Sequence, residues 1–163
     1  MLQLSEILLG GGLLSLAIGA VILTSLIVNP RIWLNDYPEP IRQLAAPLTS
    51  NEKRLQYVFM VPFLLAFLLV PYFSTRALVQ AGGVSFVSAY AHAFLVLNIA
   101  NLFDAVVIDW LFLSLMKPRF AIIPEAWGHF DLMGGSWQVR NYVKGIALCA
   151  VLAAPIALAA TLI

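Results

Sequence analysis

The chain has 163 residues, of which 62% are hydrophobic and only 10% are charged, and its formal net charge is +1. Soluble domains carry roughly 25% charged residues, so a chain of this composition cannot cover itself with groups that water solvates. A nucleic-acid surface is not expected either, because it requires clustered Lys and Arg. The composition therefore predicts an all-α integral membrane protein whose apolar surface contacts the lipid bilayer.

Four apolar segments are long enough to cross a membrane as helices, which takes about 20 residues each. In chain order they cover residues 7–28, 57–78, 84–116 and 142–163. Prolines inside the second and fourth segments do not exclude this, because membrane helices tolerate proline. Since the segments and their short connections account for nearly the whole chain, we expect a single transmembrane domain, residues 1–163, folded as an antiparallel up-down four-helix bundle.

The distribution of Lys and Arg predicts the orientation of the bundle. Eight of the nine lie in or next to residues 29–56 and 117–141, and only Arg76 lies at the opposite end. Short loops rich in these residues stay in the cytoplasm, so both termini are expected on the non-cytoplasmic side. Both connections also mix aromatic, aliphatic and charged residues, which predicts two interfacial cytoplasmic loops at the level of the lipid headgroups.

The third segment carries polar side chains within an otherwise apolar stretch, namely Asn98, Asn101, Asp104 and Asp109. In a regular α-helix these four fall within an arc of about 140°. A carboxylate at membrane depth must face protein or water, find a partner or take up a proton. The pattern therefore predicts an intramembrane polar site on the inward side of this helix.

The individual members of this site differ in what they predict. Asp104 and Asp109 lie about 140° apart around an α-helix, so a paired carboxylate site is not expected. Lys144 of the fourth segment falls at the depth of Asp109, which predicts an ion pair between them. Asp104 has no cation at its depth, which favours a functional role. Hydrogen bonds between helices explain Asn98 and Asn101 better, and for Asp109 both explanations remain open.

Small residues recur at every fourth position in two segments, and such seams let helix backbones approach closely. The first seam consists of Gly11, Ser15 and Gly19, and the second of Gly145, Cys149, Ala153 and Ala157. The contact that each seam makes, within the bundle or with another chain, stays open at this point. Cys149 is the single cysteine, so an intramolecular disulfide is excluded.

Two functional hypotheses follow. The favoured one is a non-catalytic subunit, or helix-packing partner, of a larger membrane assembly with other membrane proteins or as a homo-oligomer, because no catalytic constellation is recognisable. The alternative is a small membrane enzyme or carrier that uses Asp104 and Asp109 to handle a proton, a cation or a lipid headgroup. The sequence specifies no metal site and no cofactor, and His92 lacks the second intramembrane histidine of a bis-histidine haem site.

Overall fold

The computed structural model describes residues 3–82 and 84–162, and this part of the chain is helical with no β-strand. Its main helices are α1 (Leu4–Val28), the short α2 (Glu39–Leu44), α3 (Ser50–Gly82), α4 (Phe86–Phe103) and α5 (Gly135–Leu162). A π-helix, Asp104–Met116, continues α4, and 3-10 helices occupy Pro30–Asp36, Arg119–Ala121, Pro124–Ala126 and Phe130–Met133. Residues 1, 2, 83 and 163 of the predicted domain lie outside the described residues.

Within the described residues, four helices are long and apolar enough to cross a membrane. They are α1, α3, α4 with its π-helical continuation, and α5 with the short helix before it. The central core is built from α1, α4 and α5, where Leu14, Ile18, Val96, Leu97 and Ile156 pack together. Burial of such large aliphatic side chains stabilises this part of the fold.

Two of the long helices begin seven residues earlier than hydropathy predicts. α3 begins at Ser50 rather than at residue 57, and α5 begins at Gly135 rather than at residue 142. A capping box explains the first difference, because Thr49 Oγ1 accepts the Glu52 N–H (3.2 Å) and Glu52 Oε2 accepts the Thr49 N–H (2.8 Å). Hydropathy detects the apolar part of a helix and misses a polar first turn.

The two connections, residues 29–49 and 117–134, pack against each other and are called the cap below. Ile41 from the first connection and Ile123 and Ala126 from the second are completely buried in a small shared core. The sequence predicted two interfacial loops and did not predict this contact. Hydropathy shows that a loop residue is apolar, but it does not show which other segment packs against that residue.

α3 is the least buried of the long helices. Pro71, Thr75 and Leu78 are its buried residues, whereas Val58 and Leu65 belong to an exposed apolar side. An apolar surface of this extent is typical of contact with lipid or with another protein.

Candidate functional site

A cavity of about 420 Å³ lies between α1, α3, the cap, the π-helix and α5. Its lining carries the carboxylates of Asp36, Asp104 and Asp109 together with the ammonium group of Lys144. The lining is therefore formally negative when all four groups are ionised. Cavities of roughly 300–1,000 Å³ are of the size that binds small molecules.

The π-helix brings Asp104 and Asp109 to the same cavity, whereas a regular α-helix would separate them by about 140° around its axis. In a π-helix each N–H bonds to the carbonyl five residues earlier, so residues i and i+5 lie nearly one above the other. The Lys117 N–H donates in this way to Phe112 O at 3.1 Å, and the Ser114 hydroxyl donates to Asp109 O at 2.9 Å. The predicted separation of about 140° assumed a regular α-helix throughout.

The carboxylates of Asp104 and Asp109 have no hydrogen-bond donor from protein groups within residues 3–82 and 84–162. Each residue is only partly buried, so the carboxylate oxygens are accessible from the cavity. Such groups are costly among largely apolar helices unless a solvent molecule solvates them or a proton or a charged ligand neutralises them.

The predicted ion pair between Asp109 and Lys144 is not formed. Among the described residues the salt bridges within 4 Å both involve Arg31, although Asp109 and Lys144 line the same cavity. Counting residues from the helix ends gives the depth of a side chain, but it does not give the direction in which the side chain points. Lys144 is largely exposed and remains separate from Asp109.

The two asparagines of the predicted polar site lie outside the cavity lining and serve the helices instead. Asn98 Nδ2 donates to Phe94 O within its own helix at 3.1 Å. Asn101 Nδ2 donates to Tyr142 O of α5 at 3.3 Å. The predicted polar site therefore divides into two parts. Asn98 and Asn101 form hydrogen bonds to helix carbonyls, and Asp104 and Asp109 line the cavity.

Aromatic rings form a second part of the cavity lining, which the sequence did not predict. Trp33 and Tyr37 come from the cap, Phe63 from α3 and Trp137 from α5. Trp33 is held in place because its Nε1 donates to Ser25 Oγ at 2.7 Å and its ring meets Phe63 edge to face at 6.2 Å. The signal available in the sequence was a run of aromatic residues around Asp36 in a connection.

Asp36 lines the cavity from the cap, whereas Asp104 and Asp109 line it from the π-helix. Protein packed around its carboxyl group raises the pKa of Asp36 above its ordinary value, and the nearby charge of Arg42 only partly offsets this effect. The residue is still exposed to solvent, so it lies where the cavity opens. Burial likewise raises the pKa of Tyr37, whose hydroxyl oxygen accepts the Ile123 N–H at 3.4 Å.

Gln138 connects the first turns of α5 to the π-helix beside the cavity. Its Nε2 donates to Ser114 Oγ at 3.0 Å. Its Oε1 is buried and has no hydrogen-bond partner among the residues that the structure describes. A buried acceptor left in this condition costs free energy unless a ligand or water donates to it.

An apolar layer lies next to the cavity on the side away from the cap. Leu14 and Ile18 of α1 precede the cavity residue Ile22, and Leu97 and Ala100 of α4 precede Asp104. All four are at most 1% exposed. The polar lining therefore ends at this layer.

A separate polar pair, His92 in the first half of α4 and Ser74 in α3, lies away from the cavity. His92 is completely buried, and its Nε2 is 2.8 Å from Ser74 Oγ of α3, while its Nδ1 has no hydrogen-bond partner in the described part of the chain. The pair does not belong to the cavity lining. Within residues 3–82 and 84–162, no three His, Cys, Asp or Glu side chains form a group that could hold a metal ion.

Both small-residue seams lie against other helices of this chain. A Cβ on Gly11 would meet Ile99, one on Gly19 would meet Phe103, and one on Gly145 would meet Asn101. The remaining seam residues, Ser15, Cys149, Ala153 and Ala157, are all buried within the chain.

The fold defines the class of protein. Within the described residues the chain is all-helical, with four helices long and apolar enough to span a membrane. Comparison with protein-family models, with curated proteins and with solved structures finds no match. Function is therefore inferred from the cavity and its surroundings.

Proposed function

We propose that the chain crosses the bilayer four times as an up-down helical bundle, with the cap in the cytoplasm and both termini on the other side. Apolar side chains on the outside of the long helices, such as Leu65 and Val151, support insertion because water solvates them poorly. The eight Lys and Arg in or near the cap, against Arg76 at the other end, support the orientation. Arg76 donates to Ala160 O near the end of α5, which fits its place at the opposite end.

The function proposed for this membrane domain is binding of a cation in the carboxylate cavity. The single observation that carries this proposal is that Asp36, Asp104 and Asp109, which come from two distant parts of the chain, line one cavity with Lys144 as the single cationic residue in the lining. A cation that enters would neutralise the carboxylates of Asp104 and Asp109, which accept no hydrogen bond from any described residue.

Binding is favoured over conduction because of the apolar layer beside the cavity. Leu14, Ile18 and Leu97 are fully buried there, and hydrated ions do not cross such a layer without repacking of the helices. A carrier would need this repacking, and an enzyme would need a reactant in the cavity. Cation binding is the step that both activities share.

Titration of the purified protein with chloride salts tests the proposal. In detergent at low ionic strength, we expect at least one of Na⁺, K⁺, Ca²⁺ or tetramethylammonium to raise the melting temperature in a saturable manner, because a ligand of the folded state stabilises it. The double variant Asp104→Asn/Asp109→Asn should lose this response. Asp131→Asn is the matched control, since Asp131 is exposed in the cap and outside the cavity lining.

Each outcome of this titration bears on the proposal. A saturable shift in the wild type and in Asp131→Asn, but not in the double variant, supports it. The proposal is contradicted if no cation shifts the melting temperature, or if the double variant responds as strongly as the wild type. A series of sodium salts that differ only in the anion separates a cation effect from a general salt effect.

A non-catalytic membrane subunit is the second candidate. Because both small-residue seams are buried inside the chain, a partner would have to bind elsewhere. The exposed apolar side of α3, including Val58, Leu65 and Phe73, is the surface that favours this candidate. A stable complex with another membrane polypeptide, together with no response to any cation, would favour it over the cation site.

A further inference from the structure

We infer that the ligand of this cavity is an organic ammonium group, of the kind carried by free amines and by the headgroups of zwitterionic lipids. The inference rests on the proposed cation site and narrows it to one chemical class. The observation that carries it is the combination of carboxylates with aromatic rings in a single lining.

One ring of the aromatic part of the lining, Trp33, is held in a fixed orientation by protein contacts. Trp33 is fixed at its nitrogen by Ser25, which is completely buried, and on its ring by Phe63, at an interplanar angle of 73°. Trp137 lines the same cavity from α5. A site whose rings are already oriented loses little conformational entropy on binding.

Aromatic faces distinguish an organic ammonium group from a metal cation. Quaternary ammonium groups are weakly hydrated and bind to the electron-rich faces of Trp, Tyr and Phe in aromatic cages. Small metal cations instead require several oxygen ligands and retain water. Rings next to Asp36, Asp104 and Asp109 therefore match a ligand with both a positive charge and an apolar surface.

The volume of the cavity agrees with a ligand of this size. About 420 Å³ accommodates a choline or ethanolamine group with room for the atoms that follow it.

Variants of one ring test the inference. Affinities for tetramethylammonium, choline and Na⁺ are measured by thermal shift and by quenching of tryptophan fluorescence, in nanodiscs of phosphatidylglycerol. Trp33→Leu should weaken tetramethylammonium binding by about tenfold and leave any Na⁺ response nearly unchanged. Trp110→Leu is the matched control because Trp110 lies on the π-helix but is 54% exposed and outside the cavity lining.

A conservative variant keeps the test informative if Trp33→Leu is unstable. Trp33→Phe retains a smaller aromatic face and loses the indole donor to Ser25, so tetramethylammonium binding should be weaker than in the wild type and stronger than in Trp33→Leu. Equal affinity in the wild type, Trp33→Leu and Trp33→Phe would overturn the role of the ring.

Failure of this inference is distinguishable from failure of the proposed function. A saturable Na⁺ or Ca²⁺ response that requires Asp104 and Asp109, without any response to tetramethylammonium or choline, overturns the inference and leaves the cation site standing. No response to any cation overturns both. A tetramethylammonium response lost in the double aspartate variant and weakened in Trp33→Leu supports both.

The source of the ammonium group is resolved by changing the lipid. If a headgroup supplies it, nanodiscs containing phosphatidylcholine should weaken the apparent affinity for free choline relative to nanodiscs of phosphatidylglycerol alone, because the lipid competes for the site. Equal choline affinity in both nanodiscs identifies a free amine as the ligand.

Discussion

The side-chain amide of Asn101 occupies the space beside Gly145 that the Cβ of any larger residue would need. Its Nδ2 also donates to Tyr142 O at 3.3 Å, so α4 and α5 are joined at this point by steric fit and by a hydrogen bond. The sequence predicted Asn101 as part of a polar stripe and Gly145 as part of a packing seam. It did not predict that the two residues meet.

We expect Gly145→Ala to reduce the free energy of unfolding by about 1–3 kcal/mol, because the new methyl group must displace the Asn101 amide. Gly12→Ala is the matched control, since no atom lies within 4 Å of the position its Cβ would take. The control should be neutral or slightly stabilising. Thermal unfolding in detergent compares the wild type with the two variants. Identical melting temperatures would show that the close contact at Gly145 does not contribute to stability.

The predictability of the site differs from residue to residue. Asp104 and Asp109 are visible in the sequence because a carboxylate in an apolar helix requires an explanation. Asp36 and Trp33 lie in a connection that has no helical periodicity, so no pattern assigns them to the same cavity. Their role depends on the folding of the cap over the ends of the helices.

At the scale of elements, the cap is joined to the long helices through one arginine. Arg31 Nε is 2.8 Å from Glu52 Oε1 at the start of α3, and Arg31 Nη1 is 3.1 Å from Glu125 Oε1 in the second connection. These side chains are only 14–25% exposed, so the ion pairs are partly shielded from solvent. Arg31 Nη2 also donates to Ala46 O at 2.8 Å, which fixes the guanidinium group.

Arg31→Gln should loosen the cap and leave the long helices folded, because it removes both ion pairs and leaves two carboxylates without a cation. We expect a loss of about 1–3 kcal/mol in cap stability, measured as faster hydrogen exchange in residues 117–134. Arg42→Gln is the control, since Arg42 is exposed and forms no salt bridge within 4 Å among the described residues. Equal exchange rates in this segment for both variants would contradict a role for Arg31 in holding the cap.

Helix type is a second property that emerges at this scale. The segment Asp104–Met116 is as apolar as the α-helix before it, and no proline or glycine interrupts it, so hydropathy gives no reason to expect a π-helix. The capping box of α3 is the opposite case, because Thr49 and Glu52 stand at the required spacing in the sequence. Application of the capping rule would have predicted the start of α3 correctly.

At the scale of the whole molecule, the proposed topology makes a prediction about access from each side of the membrane. Cysteine is introduced at Gln43 in the cap or at Gln80 near the end of α3, both exposed positions, in a Cys149→Ala background. A membrane-impermeant maleimide should label Gln80→Cys on intact cells, because this end is expected outside. Gln43→Cys should react only after permeabilisation.

Two results of this labelling would contradict the topology. Labelling of Gln43→Cys alone on intact cells would reverse the proposed orientation. Labelling of both positions from the same side would contradict the up-down arrangement itself, because α3 then could not cross the membrane. Cys149 is 1% exposed, and its replacement by Ala in the background removes the one native thiol.

The sequence by itself determined the helical class, the approximate positions of the four apolar helices and two of the three cavity carboxylates. These properties depend on composition and on the hydropathy of consecutive residues, which are local. Tertiary structure alone decided that Asp36 and Trp33 join Asp104 and Asp109 around one cavity, and that both small-residue seams are buried. Such contacts depend on the direction of each side chain around its helix and on the packing of distant segments, which local sequence patterns do not specify.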